Sequence, residues 1–173
     1  MPDIALLPGR SRVFVDTNIF DLYFRGRSVT CTAFINRVAA GEVTAYVNTQ
    51  VLSDLLHKLM LAEAYHKKII KRARATELKK ALSKNRAIAV ALIDYQTSFE
   101  NVLAIGIKVL RITRKLLVDT WDERRNHALM TGDSLHLGNM NRHNVPIHDI
   151  ATNDGDFAHI PGVALWKPED VIE

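Results

Sequence analysis

Asp16, Asp54, Asp133 and Asp154 are scattered over most of the chain, yet each stands where an α/β fold would carry a carboxylate to one shared place. Asp16 ends the apolar run Val13-Phe14-Val15, and Asp154 follows the strand-like stretch 147–152. In an open parallel sheet the functional crevice lies beyond the carboxyl ends of the strands, which is where both of these residues fall. Asp133 and Asp54 sit near the starts of apolar-periodic helices, where the backbone dipole favours a negative side chain. Carboxylates brought within a few ångströms raise one another's pKa, so crowding them is unfavourable unless a cation compensates. Hard oxygen ligands without a cysteine or histidine cluster suit Mg²⁺ or Mn²⁺ better than zinc.

Residues beside these acids extend the pattern. Asn18 offers an amide that can hold the Asp16 carboxylate, as metal centres generally require, and Thr17 places a hydroxyl at the same turn. Asn153 and Asp156 flank Asp154 in the loop Asn153-Asp154-Gly155-Asp156. Taken singly, each has an ordinary explanation: Asp-Thr-Asn caps helices, Asn-Asp-Gly-Asp makes turns, and Asp54 can face solvent. Their joint arrangement carries the metal reading.

The elements that must position them alternate. Arg12–Asp16, Val43–Val47, Ile107–Ile112, Val145–Thr152 and Val163–Trp166 read as strands. Helices are expected over Thr30–Ala40, from Thr49 to about Arg74, from Glu77 to about Leu103 (whole or as a broken pair), over Lys115–His127 and over Gly132–His143. Alternating strands and helices imply a parallel sheet covered by helices. The chain of 173 residues, 47% hydrophobic, suffices for one well-buried core, and a single domain is expected over residues 1–173. The lone Cys31 suits a reducing cytoplasm, the first twelve residues include Asp3 and lack the unbroken apolar core of a signal peptide, and no apolar run reaches membrane-spanning length, so a soluble intracellular protein is expected.

The net charge of +4 is concentrated. Between Tyr65 and Arg86 nine lysines and arginines face only Glu77, leaving 14 basic and 18 acidic residues elsewhere. A basic helical segment beside an acidic metal pocket suits a polyanion held by its phosphates. With Tyr65 as the only aromatic residue in the segment, base stacking is not indicated. His57, His66 and His136 lack metal-motif spacing, and His136 is expected to be structural or superficial. Trp121 and Trp166 are expected to anchor packing. No Gly-rich phosphate loop, nucleophile elbow or dinucleotide fingerprint occurs. A haloacid-dehalogenase-type site would need an acid where Asn18 stands, and a receiver-type phosphoacceptor would need a late lysine that is not evident.

Four segments in order, Val-Phe-Val-Asp16-Thr-Asn18-Ile-Phe, Gln50-Val-Leu-Ser-Asp54-Leu, Thr-Gly-Asp133-Ser-Leu-His-Leu and Ala-Thr-Asn153-Asp154-Gly-Asp156-Phe, resemble the PIN-domain ribonucleases, and most of all the VapC toxins of VapBC pairs. The tail Ile160–Pro168 is similar as well. The resemblance implies a three-layer α/β/α sandwich around a parallel sheet of about five strands, frequently a homodimer. It implies a Mg²⁺- or Mn²⁺-dependent endoribonuclease with Asp16, Asp133 and Asp154 as metal ligands and Asp54 as a further catalytic acid. Asp156, Asn153, Asn18 and Thr17 would support them. Asp54 stands where the family usually has glutamate; its shorter reach leaves a water-mediated contact open. Lys67, Lys68, Lys71, Arg72, Arg74, Lys79 and Lys80 would hold the RNA backbone, and a VapB-type antitoxin would be the partner. A non-catalytic RNA- or partner-binding module and a housekeeping RNA-processing nuclease are the alternatives.

Overall fold

Val13, Phe14 and Val15 are fully buried, as continuous apolar runs are when a parallel strand is covered on both faces. They form β1 (Arg12–Val15), the centre of a five-stranded sheet in a computed structural model that describes Met1–Ile172. The other strands are β2 (Thr44–Asn48), β3 (Lys108–Leu110), β4 (Asp149–Ala151) and β5 (Ala164–Trp166). All pairings are parallel, in the order β3-β2-β1-β4-β5, with Phe14 opposite Tyr46 on one side and Ile150 on the other. The direction of winding therefore reverses at β1 and β4, and the ends of those two strands form the switch point.

The chain divides into two compact units. The first comprises Met1–Leu52 and Ile105–Glu173 and holds the whole sheet; the second is Ser53–Ala104 and holds the basic helical segment. In the first unit α1 (Thr17–Phe24) packs on α2 (Val29–Ala39), which also meets a 3-10 turn at Ile4–Leu6. A second helical group is formed by α7 (Arg114–Asp119), α8 (Trp121–His127) and α9 (Thr131–Arg142). With the sheet between, these make the expected α/β/α sandwich. Gly138 permits the close approach within the second group: a Cβ there would lie 2.4 Å from Thr120 Cγ2. The expected helix over Lys115–His127 is thus two helices, jointed at the buried Thr120.

The second unit departs more from the sequence expectation. The helix α3 (Thr49–His66) stops well before Arg74, and the stretch after Glu77 is α4 (Ala75–Lys84), α5 (Ala87–Ala91) and α6 (Asp94–Ala104). Two glutamates explain the breaks. Glu77 Oε2 accepts from the backbone N–H groups of Lys71 and Arg72, at 3.1 and 3.0 Å, which fixes a loop where a helix would have continued. Glu63, only 7% exposed, accepts from the N–H of Ile93 and of Tyr95, each at 2.9 Å, and so starts α6. Burial alone would raise the Glu63 pKa, but the Lys67 ammonium and the backbone N–H groups of Tyr95, Asp94 and Ile93 hold it below the ordinary value. Ala64, Ile70, Leu78 and Leu92 form the small core of this unit.

Glu63 therefore joins residues 30 and more positions apart. Glu63→Ala is expected to destabilise the second unit by about 2–4 kcal/mol, since it strands two backbone N–H groups and removes one partner of Lys67. Hydrogen exchange at Ile93 and Tyr95 should accelerate while the β1 amides keep their protection; unchanged exchange at those two amides would contradict the assignment.

Candidate active site

Five strand ends meet the crevice edge, and each carries a polar residue at or just after its last position: Asp16, Asn48, Arg111, Thr152 and Lys167. Asp16 leaves β1 with its N–H still bonded to Ala151 O at 3.0 Å, so β1 and β4 run side by side up to the site. Its side chain caps α1, Oδ1 accepting from Thr17 N–H at 2.5 Å. Oδ2 accepts from Asn18 Nδ2 and from Thr152 Oγ1, both at 2.7 Å. Asn18 thus holds the Asp16 carboxylate through its amide, and Thr17 contributes its backbone N–H.

Thr152 is the residue that sequence reasoning missed. Fully buried, its hydroxyl donates to Asp16 and accepts from Asn18 Nδ2 at 2.8 Å and from Asp154 N–H at 3.0 Å. One hydroxyl therefore ties the ends of β1 and β4 together. Asn153 also contributes through its backbone, its N–H donating to Asn18 Oδ1 at 2.9 Å, and Asp156 N–H donates to Asp154 Oδ1 at 3.1 Å. Thr152→Val keeps the shape and removes all three contacts. It is expected to cost about 1–3 kcal/mol of stability and to lower any activity of the centre; a variant as stable as the parent would refute this role.

Asp133 enters from the first turn of α9, half-buried. Burial, and then the like charges of Asp16, Asp154 and Asp156, push its carboxyl from an ordinary value of 3.8 up to about 6. Asp16, Asp154 and Asp156 are thus close enough to act on Asp133. Among the described residues, however, no three His, Cys, Asp or Glu side chains already stand in a metal-holding group. The donor set fits a hard divalent cation in kind, since every candidate is a carboxylate oxygen and their mutual repulsion is what such a charge relieves. Asp154 and Asp156 are exposed on their loop. Asp54 belongs to the second unit, at an exposed position of α3.

Two cations also stand at the crevice edge of the first unit. Lys167 Nζ comes within 3.9 Å of the Cβ position that Gly155 lacks, which brings an ammonium to the acidic loop. Arg111 lines a cleft of about 540 Å³ with Thr113, Lys115 and Asn139. Behind them lies a buried network: Asn48 Nδ2 contacts His136 Nδ1 at 3.0 Å and donates to Asn139 Oδ1 at 3.1 Å, while Asn48 Oδ1 accepts from Val51 N–H at 3.0 Å. His136 is accordingly structural, its ring 5.1 Å from that of Phe14. Trp166 is tied down by donation to Asp149 at 2.7 Å, but Trp121 is 59% exposed and does not anchor packing as expected. Asking of every strand end which polar residue it carries would have found Thr152, Asn48 and Lys167.

The late lysine of a receiver-type site is therefore present in Lys167, but the sheet excludes that fold, whose order is 2-1-3-4-5 rather than 3-2-1-4-5. In the dinucleotide-binding fold of order 3-2-1-4-5-6 the first turn is glycine-rich, whereas here it is Asp16-Thr17-Asn18.

In the second unit Lys68, Lys71, Arg72, Arg74, Lys79 and Lys80 are exposed, as expected of a backbone-binding surface. Lys67 differs: its ammonium pairs with Glu63 at 2.5 Å and Asp94 at 2.9 Å and donates to Ala91 O at 2.8 Å, so it is committed internally.

No protein-family model matches the chain, and no curated protein matches it by sequence. Solved structures do. A toxin–antitoxin complex from Klebsiella pneumoniae contains a chain 17% identical, matched over 88% of this chain and 95% of that one with a TM-score of 0.50. VapBC2 from Rickettsia felis, bound to a DNA fragment from its promoter, contains one 14% identical, matched over 90% and 98% with a TM-score of 0.54. At these identities the likeness establishes the fold, a PIN-like sandwich of the kind found in VapBC complexes.

Proposed function

We propose that this chain is a VapC-type endoribonuclease dependent on Mg²⁺ or Mn²⁺, acting in the cytoplasm with an antitoxin as its partner. The observation that carries this reading is the gathering of carboxylates at the switch point between β1 and β4, where Asp16, Asp154 and Asp156 act on the half-buried Asp133. A divalent ion held by Asp16, Asp133 and Asp154 would supply positive charge against a phosphodiester and lower the pKa of a water. The protein's own part is to orient. Asn18 and Thr152 fix the Asp16 carboxylate, the Thr152–Asp154 bond fixes the loop, and the Lys167 ammonium offers a counter-charge to phosphate. Attack of water on phosphorus in line with the departing 3′ oxygen leaves a 5′-phosphate and a 3′-hydroxyl.

The deciding experiment is cleavage of labelled RNA with and without Mn²⁺, beside Asp133→Asn prepared identically. Metal-dependent cutting that disappears in the variant and leaves 5′-phosphate ends supports the proposal. A well-folded protein that binds RNA without cutting any would favour a non-catalytic binding module. Homodimerisation is part of the proposal and is checked by sedimentation.

The basic segment gives a separate prediction. Lys71→Glu with Arg74→Glu should weaken RNA binding and flatten its salt dependence, because each lost phosphate contact removes about 0.7–0.9 from the slope of log K against log salt. An unaltered slope would remove this segment from the RNA path.

A further inference from the structure

The end of α3 is built for more than charge. Ile69 N–H donates to Ala64 O at 2.9 Å and Lys68 N–H to Tyr65 O at 2.9 Å, the paired bonds of a Schellman cap, with Ile69 packed towards the core that contains Ala64. That cap requires a left-handed residue, and glycine normally supplies it. Here the position is Lys68, at φ 57°. A long cationic side chain has been placed where it costs stability, a feature expected where function rather than folding sets the residue. The loop that follows is equally fixed, since Glu77 holds the N–H groups of Lys71 and Arg72.

These constraints shape a cavity of about 580 Å³ lined by Tyr65, His66, Lys68, Ile70 and Lys71. Such a volume falls in the ~300–1,000 Å³ range of ligand sites. Its chemistry is specific in kind: a 48% exposed tyrosine ring, an imidazole edge-on to it at 6.0 Å, an isoleucine wall and two exposed ammonium groups. An aromatic face takes a planar base, and lysines beside it take the phosphates on either side. Lys67, which would otherwise crowd the site with a third charge, is turned to Glu63 and Asp94. A single aromatic residue in the basic segment gives no indication of stacking by composition, yet one ring suffices where it lines a cavity.

We propose that this cavity is a nucleotide-binding subsite in which Tyr65 stacks on one unpaired base of single-stranded RNA while Lys68 and Lys71 hold its flanking phosphates. The inference rests on the reading of the chain as an RNA-acting protein. It adds a recognition point, lying wholly in the second unit, that selects unpaired RNA by a base as well as by charge.

The test measures binding of a fluorescent oligoribonucleotide of five residues, and of the same backbone with an abasic residue at its centre, to the full chain carrying Asp133→Asn so that nothing is cut. Tyr65→Ala should lower affinity for the intact oligonucleotide about ten-fold and leave the abasic one unchanged, whereas Tyr65→Phe should retain parental binding. Lys68→Gly should weaken both oligonucleotides while raising the melting temperature, because it relieves the left-handed lysine. Tyr65→Ala binding intact RNA as the parent does would overturn the subsite and leave the RNA reading standing. A parent protein that binds neither oligonucleotide would overturn both.

Discussion

Replacing Asp133 by asparagine is expected to abolish RNA cleavage, by roughly 10²-fold or more, and at the same time to make the metal-free protein more stable. The two effects have one cause. At neutral pH the Asp133 carboxylate is held, half-buried, against the like charges of Asp16, Asp154 and Asp156, and its pKa stands at about 6 instead of 3.8. A folded-state pKa above the unfolded one means that the folded protein binds the proton more tightly. The penalty is therefore absent below about pH 3.8, grows between 3.8 and about 6, and is constant above. Allowing for solvent screening of a half-exposed group, it is on the order of 1–2 kcal/mol, or roughly 2–6 °C in melting temperature. Melting curves of parent and variant without metal should coincide near pH 3.5 and separate by pH 7, the variant melting higher. Mn²⁺ should then raise the parent and leave the variant almost unmoved. A variant less stable than the parent at pH 7 would mean that the acids do not repel one another as described.

Asp16→Asn should destroy activity to a similar degree and shift stability in the opposite direction. Asp16 accepts three hydrogen bonds, from Thr17 N–H, Asn18 Nδ2 and the Thr152 hydroxyl. An asparagine can keep the first, but its amide then faces two donors, and Thr152, fully buried, is left without its acceptor. The expected cost is about 1–3 kcal/mol, read as a lower melting temperature at neutral pH. Two aspartates of one centre would thus be told apart by a calorimeter: Asp16 organises the fold through its three hydrogen bonds, and Asp133 is a group the fold tolerates at a loss. Equal shifts of the same sign in both variants would reject that division.

The contrast also marks what could be read in advance. Asp16, Asp133 and Asp154 were legible because each sits at a boundary that local chemistry fixes. An apolar run too short for a helix ends at Asp16, an amphipathic stretch begins just before Asp133, and a turn sequence surrounds Asp154. The alternation of elements and the parallel sheet followed from the same local signals, and β1 and α9 lie close to where periodicity put them. Capping was equally local: Asp16 does cap α1.

Partnership was not legible, because it is decided by register across the sheet. Thr152 and Asp16 are 136 positions apart, and only the pairing of Val15 with Ala151 brings that hydroxyl to that carboxylate. The second unit shows the same limit. A run of helix-forming residues from Thr49 to Arg74 gives no hint of stopping at His66, since the stop depends on Glu77 reaching back to Lys71 and Arg72 and on core contacts of Ile69. Nor can charge composition reveal that Lys67 is paired with Glu63 and Asp94 while Lys68 lines a cavity. By itself the sequence determined the elements, their order and which acids stand at strand ends and helix starts, because propensity, capping and periodicity act within a few residues. Only the tertiary structure decided which polar groups meet, because burial makes each of them require a partner and long-range packing alone supplies it.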